Sequence, residues 1–209
     1  MCNLYTTAPM RDEVRHYFPN RDLIDNLGNT LLVTDVYPDY RAPILRESSQ
    51  GDDREMAQAR WGMPTPPNYL IGKKVDRGVT NVRNTASPYW RQWLGPAHRC
   101  LVPFHRFAEP HHLTRENVWF DVADGAPACF AGIWTRATAV RKVKEGQVTD
   151  DFYAFLTCDP NAEVARVHPK AMPVILTDPQ DWERWLHASW ADASALQRPL
   201  ADGRLKLVA

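Results

Sequence analysis

Short runs of strand-forming residues, each ended by Pro, Gly or Asp, restrict most strongly what this chain can fold into. The sequence has 17 Pro and only 10 Gly, so turns interrupt it often without making it flexible throughout. The runs are rich in Val, Ile, Phe, Tyr and Trp, which is typical of strands. They span 31–36, 43–45, 56–61, 99–104, 118–122, 128–134 and 152–157.

A few short helices are expected beside these strands. A capped helix is predicted where Thr7 and Pro9 precede 13–18, which leaves the first six residues as an extended strand. Further amphipathic helices are predicted over 88–94, 160–167 and 178–187, and a polar hairpin turn over 140–148. Many strands and few helices predict an α+β fold around a mainly antiparallel, curved or barrel-like sheet with short peripheral helices. The length suits a single domain over residues 1–209.

The distribution of charge matters more than its sum. Lys plus Arg (25) equals Asp plus Glu (25), so net charge cannot attract nucleic acid, and any attraction has to come from a local patch. The segment 71–106 has seven basic residues and one acid, Asp76. This segment is either an anion-binding surface or a solvated face. No run of about eighteen apolar residues and no secretory signal is present, so we expect a cytoplasmic protein that does not enter membranes.

The pattern of Cys and His residues argues against a metal site. Cys2, Cys100, Cys129 and Cys158 form no C-x-x-C pair, and we expect them to be reduced thiols. The adjacent His111 and His112 cannot both face one metal from a strand. The sequence therefore predicts neither a metal nor a cofactor.

Cys2 is chemically unusual because it becomes the amino terminus if Met1 is removed. Its α-amine and thiol, with ordinary pKa values of about 7.7 to 8.0 and about 8.5, are then two nucleophiles on adjacent carbons. An aldehyde can form an imine with the amine and then close a thiazolidine ring with the thiol. The alternative is that Cys2 merely follows the start Met.

Three other segments contain residues suited to catalysis. In T-N-V-R-N-T, Asn81 can hold an amine or carbonyl and Arg83 can bind a phosphate, although a plain surface turn has the same composition. Glu109, among apolar neighbours at a strand's end, is either a proton shuttle or an edge residue in water. His168 follows a helix and precedes a buried strand, as either a general acid or a structural residue.

Four motifs occur in order along the chain: M-C-N at the start, N-V-R at 81–83, P-F-H-R-F-A-E at 103–109, and H-P-K-A-M-P-V-I-L at 168–176. W-G-M-P at 61–64 and A-P-I at 42–44 support them. Together these motifs resemble the SOS response-associated peptidase (SRAP) family over the whole chain. Departures from the family pattern are Asn3 and Leu4 in place of Gly and Arg, Asn84 and Thr85 after N-x-R, Pro110 after the Glu, and a lengthened His168 loop.

The resemblance implies an SRAP-like fold and a protein that binds single-stranded DNA and traps abasic sites covalently. Cys2 would form the crosslink, Asn81 would orient its α-amine, Glu109 would act as acid and base, and His168 would assist opening of the deoxyribose. Arg83 and Lys170 would bind phosphate. The family's peptidase activity would be removal of its own Met1.

The sequence itself adds candidate stacking faces at Trp61, Trp90 and Trp93, although the last two are equally suited to a core. Two other functions remain open. One is a thiol hydrolase in which Cys2 attacks a peptide or amide with His168 or Glu109 as base. The other is a non-catalytic binder of single strands that uses Arg83 and the basic segment. We expect a monomer that associates with the nucleoid when it binds DNA.

Overall fold

The computed structural model describes residues 2–7, 23–28, 34–48 and 53–208. Within them the chain forms short and long strands separated by turns and a few helices. The strands are β1 (Leu4–Thr6), β2 (Leu23–Asp25), β3 (Asp35–Val36), β4 (Arg41–Glu47), β5 (Arg54–Trp61), β6 (Asn81–Val82), β7 (Arg99–Phe104), β8 (Arg106–Pro110), β9 (Asn117–Val122), β10 (Ala128–Val140), β11 (Gln147–Cys158), β12 (Met172–Pro173), β13 (Ile175–Leu176) and β14 (Leu205–Val208).

Five strands close into a barrel. They are paired in the order β11-β10-β7-β4-β5, and β5 returns to β11 through a parallel pairing in which Arg60 lies opposite Phe152. The other four pairings are antiparallel, so the barrel is mixed. Closure leaves these five strands without an open edge, and it confirms the expected α+β fold with a barrel-like sheet.

A second sheet has the strand order β14-β9-β8-β1-β3. The chain passes into it from the barrel at His105, between β7 and β8. Tyr5 of β1 joins the two layers, because its hydroxyl lies 2.5 Å from that of Tyr153 in β11 and its ring packs edge-on against Trp61 and Phe130. The beginning of the chain is thereby held against the barrel.

In the described residues, four short α-helices flank the sheets: α1 (Pro88–Arg91), α2 (Ala162–Ala165), α3 (Pro179–His187) and α4 (Trp190–Ala193). The α3 helix begins after Asp178, whose side chain accepts a hydrogen bond from the Gln180 backbone N–H, a typical N-cap. The buried indole of Trp185 then donates to the Cys100 and Gly132 carbonyls of the barrel. None of the helices in the described ranges is long and apolar enough to cross a membrane.

Most of the predicted elements are present, with shifted ends. The strand predicted over 128–134 extends to Val140 and the one over 152–157 begins at Gln147, because the two form one long hairpin. The helix predicted over 88–94 is confirmed only over its first turn, α1, and the one predicted over 160–167 only over its central turn, α2. The predicted helix at 13–18 and residues 31–33 of a predicted strand lie outside the described residues.

Candidate active site around Cys2

The site begins with the pairing of β1 and β8. Leu4 lies opposite Ala108 in this antiparallel ladder, so Cys2 and Asn3 lie beside the end of β8 that contains Glu109. The backbone N–H of Cys2 lies close enough to the Glu109 carboxylate to lower the pKa of that group. Cys2 is only 1% exposed, and its Sγ lies 3.5 Å from the Leu4 carbonyl oxygen. Pairing of the first strand therefore brings the nitrogen of Cys2 to a buried carboxyl group.

Asn81 contacts Cys2 from the other side. It begins β6, which pairs parallel to β11 and has Asn81 opposite Phe155. The Nδ2 of Asn81 donates to the Cys2 carbonyl oxygen at 2.9 Å and to the Thr80 hydroxyl at 2.8 Å. Its Oδ1 is buried, and no donor among the described residues reaches it. That oxygen is suited to accept a hydrogen bond from an amine at Cys2.

Glu109 is fully buried, which rules out the alternative of an edge carboxylate in water. Burial raises its pKa to about 7, and the positive chain terminus and the Cys2 N–H only partly oppose this effect. Near neutral pH the carboxyl group therefore exists in both protonation states. A group of this kind can accept a proton at one step and return it at another.

His168 lies between α2 and β12. Its Nδ1 is 2.9 Å from the Ala171 carbonyl oxygen and 3.7 Å from Oε2 of Glu109. Because a carbonyl only accepts hydrogen bonds, Nδ1 carries the hydrogen and the neutral ring has its lone pair on Nε2. Burial lowers the His168 pKa, and the positive charges of the chain terminus, Lys170 and His112 act in the same direction. His168 is therefore a neutral base near pH 7.

The Cys2 thiol is held in its neutral form. Burial raises its pKa well above the ordinary range, and the negative charge of Glu109 adds to the effect. A buried neutral thiol is a poor nucleophile by itself. In this site the amine is therefore the better first nucleophile, and the thiol needs a base to accept its proton.

The two predicted phosphate ligands lie at the surface. Arg83 follows β6 and forms an ion pair of 2.6 Å with the exposed Asp159. Lys170 is exposed in the loop that contains His168. Arg83 is two residues after Asn81 and Lys170 is two residues after His168, so each cation is next to a residue of the buried site along the chain.

The prediction that Trp61 offers a stacking face to a base is wrong. Trp61 is 0% exposed, because it ends a barrel strand and its ring points inward onto Phe155. Its indole N–H donates to the Thr80 carbonyl oxygen at 3.1 Å. Trp90 is also buried, and Trp93 packs against the core. Trp61 therefore supports the Asn81 segment from inside the barrel.

Comparison with known proteins identifies the family and supports the fold. The sequence profile of the SOS response associated peptidase (SRAP) family matches residues 1–208. The chain belongs to this family. A crystal structure of a protein from Bordetella bronchiseptica is similar to this SRAP chain, with a TM-score of 0.73, 28% identity, and coverage of 100% of this chain and 99% of the other. A crystal structure of a protein from Bacteroides thetaiotaomicron has the same fold, with a TM-score of 0.73, 20% identity, and coverage of 99% and 90%. Comparison with curated proteins finds no match.

Two residues with supporting contacts in this SRAP chain were not singled out from the sequence. The Thr80 hydroxyl orients the Asn81 amide, and it stands in the same T-N-V-R-N-T motif. Arg141 lies in the segment predicted as an exposed turn, yet it is buried, and its guanidinium donates to the Gly62 and Asp76 carbonyl oxygens. No local pattern signals the burial of an Arg in a polar turn. In the part of the chain that the structure describes, no three His, Cys, Asp or Glu side chains are grouped as metal ligands.

Proposed function

We propose that this SRAP protein forms a covalent adduct between Cys2 and abasic sites in single-stranded DNA after removal of Met1. One observation carries the proposal: the Cys2 carbonyl oxygen accepts a hydrogen bond from Asn81, and the Cys2 backbone N–H lowers the pKa of the buried Glu109 carboxyl group beside it. These residues come from β6 and β8, far apart in the chain. Such an arrangement suits a reaction at the amine of Cys2.

The proposed reaction joins one amine, one thiol and one aldehyde. The α-amine of Cys2 adds to the C1′ aldehyde of the open abasic sugar, and loss of water leaves an imine. The thiol then adds across the C=N bond, so that sulfur binds carbon and the thiol proton ends on nitrogen. The products are a thiazolidine and one water molecule, and no oxidant or reductant is needed.

Glu109 and His168 divide the proton transfers between them. Opening of the closed sugar requires loss of the C1′ hydroxyl proton and protonation of the ring oxygen. The neutral His168 imidazole accepts the first proton, and protonated Glu109 supplies the second. Ionised Glu109 then accepts a proton from the attacking amine or from the Cys2 thiol. A carboxyl pKa of about 7 makes both states of Glu109 available at neutral pH.

The same carboxyl group supports self-processing of the chain. Hydrolysis of the Met1–Cys2 bond consumes one water and releases Met and the Cys2 amine, whose nitrogen is the leaving group. The Cys2 N–H lies close enough to Glu109 to lower its pKa, so protonated Glu109 is suited to protonate that leaving group. This step would account for a peptidase activity whose product is the nucleophile of the DNA reaction.

A crosslinking assay tests the proposal directly. The molecular mass of the purified protein is first measured by intact-mass spectrometry to establish that Met1 has been removed. It is then incubated with a single strand that contains one abasic site and run on a denaturing gel. We expect a stable adduct with the wild type and with Cys158→Ala, a matched loss of another buried thiol, and none with Cys2→Ala.

Two results would contradict the proposal. An adduct that persists in Cys2→Ala would show that another group reacts with the sugar. Retention of Met1 in every molecule would leave the Cys2 nitrogen as an amide, which cannot form the imine. Salt-dependent DNA binding without any adduct would instead support a non-catalytic binder.

A further inference from the structure

A cleft of about 550 Å³ lies in the loop that leads from β5 to β6, the strand that begins with Asn81. It is called the basic cleft below, and its lining residues are Thr65, Leu70, Lys73, Lys74, Val75, Arg77, Gly78 and Val79. The proton-transfer and adduct chemistry described above uses none of these residues.

The basic cleft has the charge of an anion site. Lys73, Lys74 and Arg77 are exposed, and no acid is among the lining residues. The nearby Asp76 is buried, and its carboxylate accepts hydrogen bonds from Thr65 and from the Gly78 backbone N–H. It is therefore engaged within the loop and does not neutralise the three cations at the surface.

The floor of the cleft is apolar. Leu70, Val75 and Val79 line it between the cations, and Tyr69, which directly precedes Leu70, is 63% exposed. A nucleotide has the complementary character, since it combines an anionic phosphate with a flat, weakly polar base. Binding sites for single strands pair basic grooves with faces of this kind.

The cleft is a fixed feature of the fold. Arg141 donates to the Gly62 and Asp76 carbonyl oxygens on the two sides of the loop. A bridge between Met63 and Val79 closes the loop at its base. Val79 is two residues before Asn81, a distance of roughly 7 Å along an extended chain. The cleft lining therefore ends two residues before Asn81.

We propose that the basic cleft is a second DNA subsite, which holds an intact nucleotide next to the abasic one. This inference rests on the proposed function. Lys73, Lys74 and Arg77 bind the phosphodiester, and the apolar floor contacts the sugar and base. Arg83 lies on the other side of Asn81 along the chain, so the cleft binds the strand on one side of the lesion only.

The first test measures non-covalent binding in a Cys2→Ala background, so that its result does not depend on adduct chemistry. Affinity for an intact fluorescent oligonucleotide is measured by anisotropy over a range of salt concentrations. In the cleft variant Lys73, Lys74 and Arg77 are all changed to Gln. The control changes Lys142, Lys144 and Lys206 to Gln, which removes the same charge from other exposed positions.

We expect the cleft variant to bind at least about tenfold more weakly near 0.1 M salt. The plot of log affinity against log salt should become less steep by about two. Each phosphate contact to a single strand contributes about 0.7 to the steepness, and the variant removes three cations. The control should change neither value by a comparable amount. Equal losses in both variants would overturn the proposal, because they would reflect net charge alone.

The second test locates the subsite relative to the lesion, with Cys2 intact. Two strands are compared, one with the abasic site at its 5′ end and one with it at its 3′ end. The cleft variant should form the adduct several-fold more slowly with one strand and at an unchanged rate with the other. Equal slowing with both strands would overturn the one-sided subsite. Free deoxynucleoside monophosphate that competes as strongly as the strand would also overturn it.

Absence of any adduct in the wild type would contradict the proposed function, and the anisotropy result would still decide whether the cleft binds DNA.

Discussion

The side-chain amide of Asn81 donates a hydrogen bond of 2.9 Å to the carbonyl oxygen of Cys2, a residue 79 positions away in the sequence. This contact orients the start of the chain relative to the barrel. The second amide atom, Oδ1, faces no donor among the described residues. In the proposed function the two atoms of this amide have different tasks: one fixes the backbone of Cys2, and the other accepts a hydrogen bond from the amine that removal of Met1 would free.

Replacement of Asn81 by Ala should slow adduct formation about 10- to 100-fold, because a preorganised polar group of this kind contributes a few kcal/mol to a reaction. The rate is measured by quenching the reaction with an abasic strand at successive times. Asn3→Ala is the matched control, since Asn3 is an exposed amide next to Cys2. Equal rates for the wild type and Asn81→Ala would show that the contact is only structural.

Glu109→Gln should make the protein more stable at alkaline pH while it impairs the reaction. A carboxyl group with a pKa of about 7 when folded and about 4.3 when unfolded binds more protons in the native state between those values. Stability is therefore lost as pH rises through this window. The advantage of Glu109→Gln over the wild type should grow by about 2 to 3 kcal/mol between about pH 5 and pH 8.

Urea denaturation at each pH measures this difference in the free energy of unfolding. The control is Glu116→Gln, because Glu116 is exposed and its charge is not buried in the folded protein. A difference between Glu109→Gln and wild type that stays constant with pH would contradict the raised pKa of Glu109.

Asp159→Asn should strengthen DNA binding about two- to fivefold at low salt. Asp159 forms an exposed ion pair with the Arg83 guanidinium. Such a pair contributes at most about 1 kcal/mol, so a DNA phosphate can replace Asp159 as the partner of Arg83. The gain should shrink as salt is raised. Asp124→Asn breaks a comparable exposed pair with Arg204 and should leave affinity unchanged. An equal gain in both variants would indicate a general effect of charge.

Gly78→Ala should destabilise the protein more than Gly72→Ala. Both glycines have similar positive φ angles, +76° and +75°, so each substitution costs about 1 kcal/mol in backbone strain. A Cβ at Gly72 meets nothing within 4 Å, whereas one at Gly78 comes within 2.8 Å of Arg141 Nη2. Because that guanidinium is held by two carbonyl oxygens, it cannot easily move away.

Urea denaturation should show an additional loss of about 1 to 3 kcal/mol for Gly78→Ala over Gly72→Ala. The same variant should weaken binding of intact DNA, since Gly78 and Arg141 shape the basic cleft. If the two variants are equally stable, Arg141 is not a rigid support for the loop.

Local patterns in the sequence were sufficient for most of the fold. Alternation and β-branched or aromatic residues predicted β7 over 99–104, and Asp178 with the following Trp spacing predicted α3, because these signals act between near neighbours. They did not predict β8, whose pairing depends on β1, about a hundred residues away along the chain. The closing pair of β5 and β11 is equally distant in the sequence.

The sequence by itself determined which chemical groups are available: a Cys at position 2, an amide, a carboxyl, an imidazole and a run of cations. Only the tertiary structure decided their states. It buried Glu109 and so raised its pKa, turned Trp61 into the core instead of toward a base, and placed Arg141 beneath a polar loop. The physical reason is that composition and spacing act along the chain, whereas solvent exclusion and charge interactions depend on which distant strands come to lie side by side.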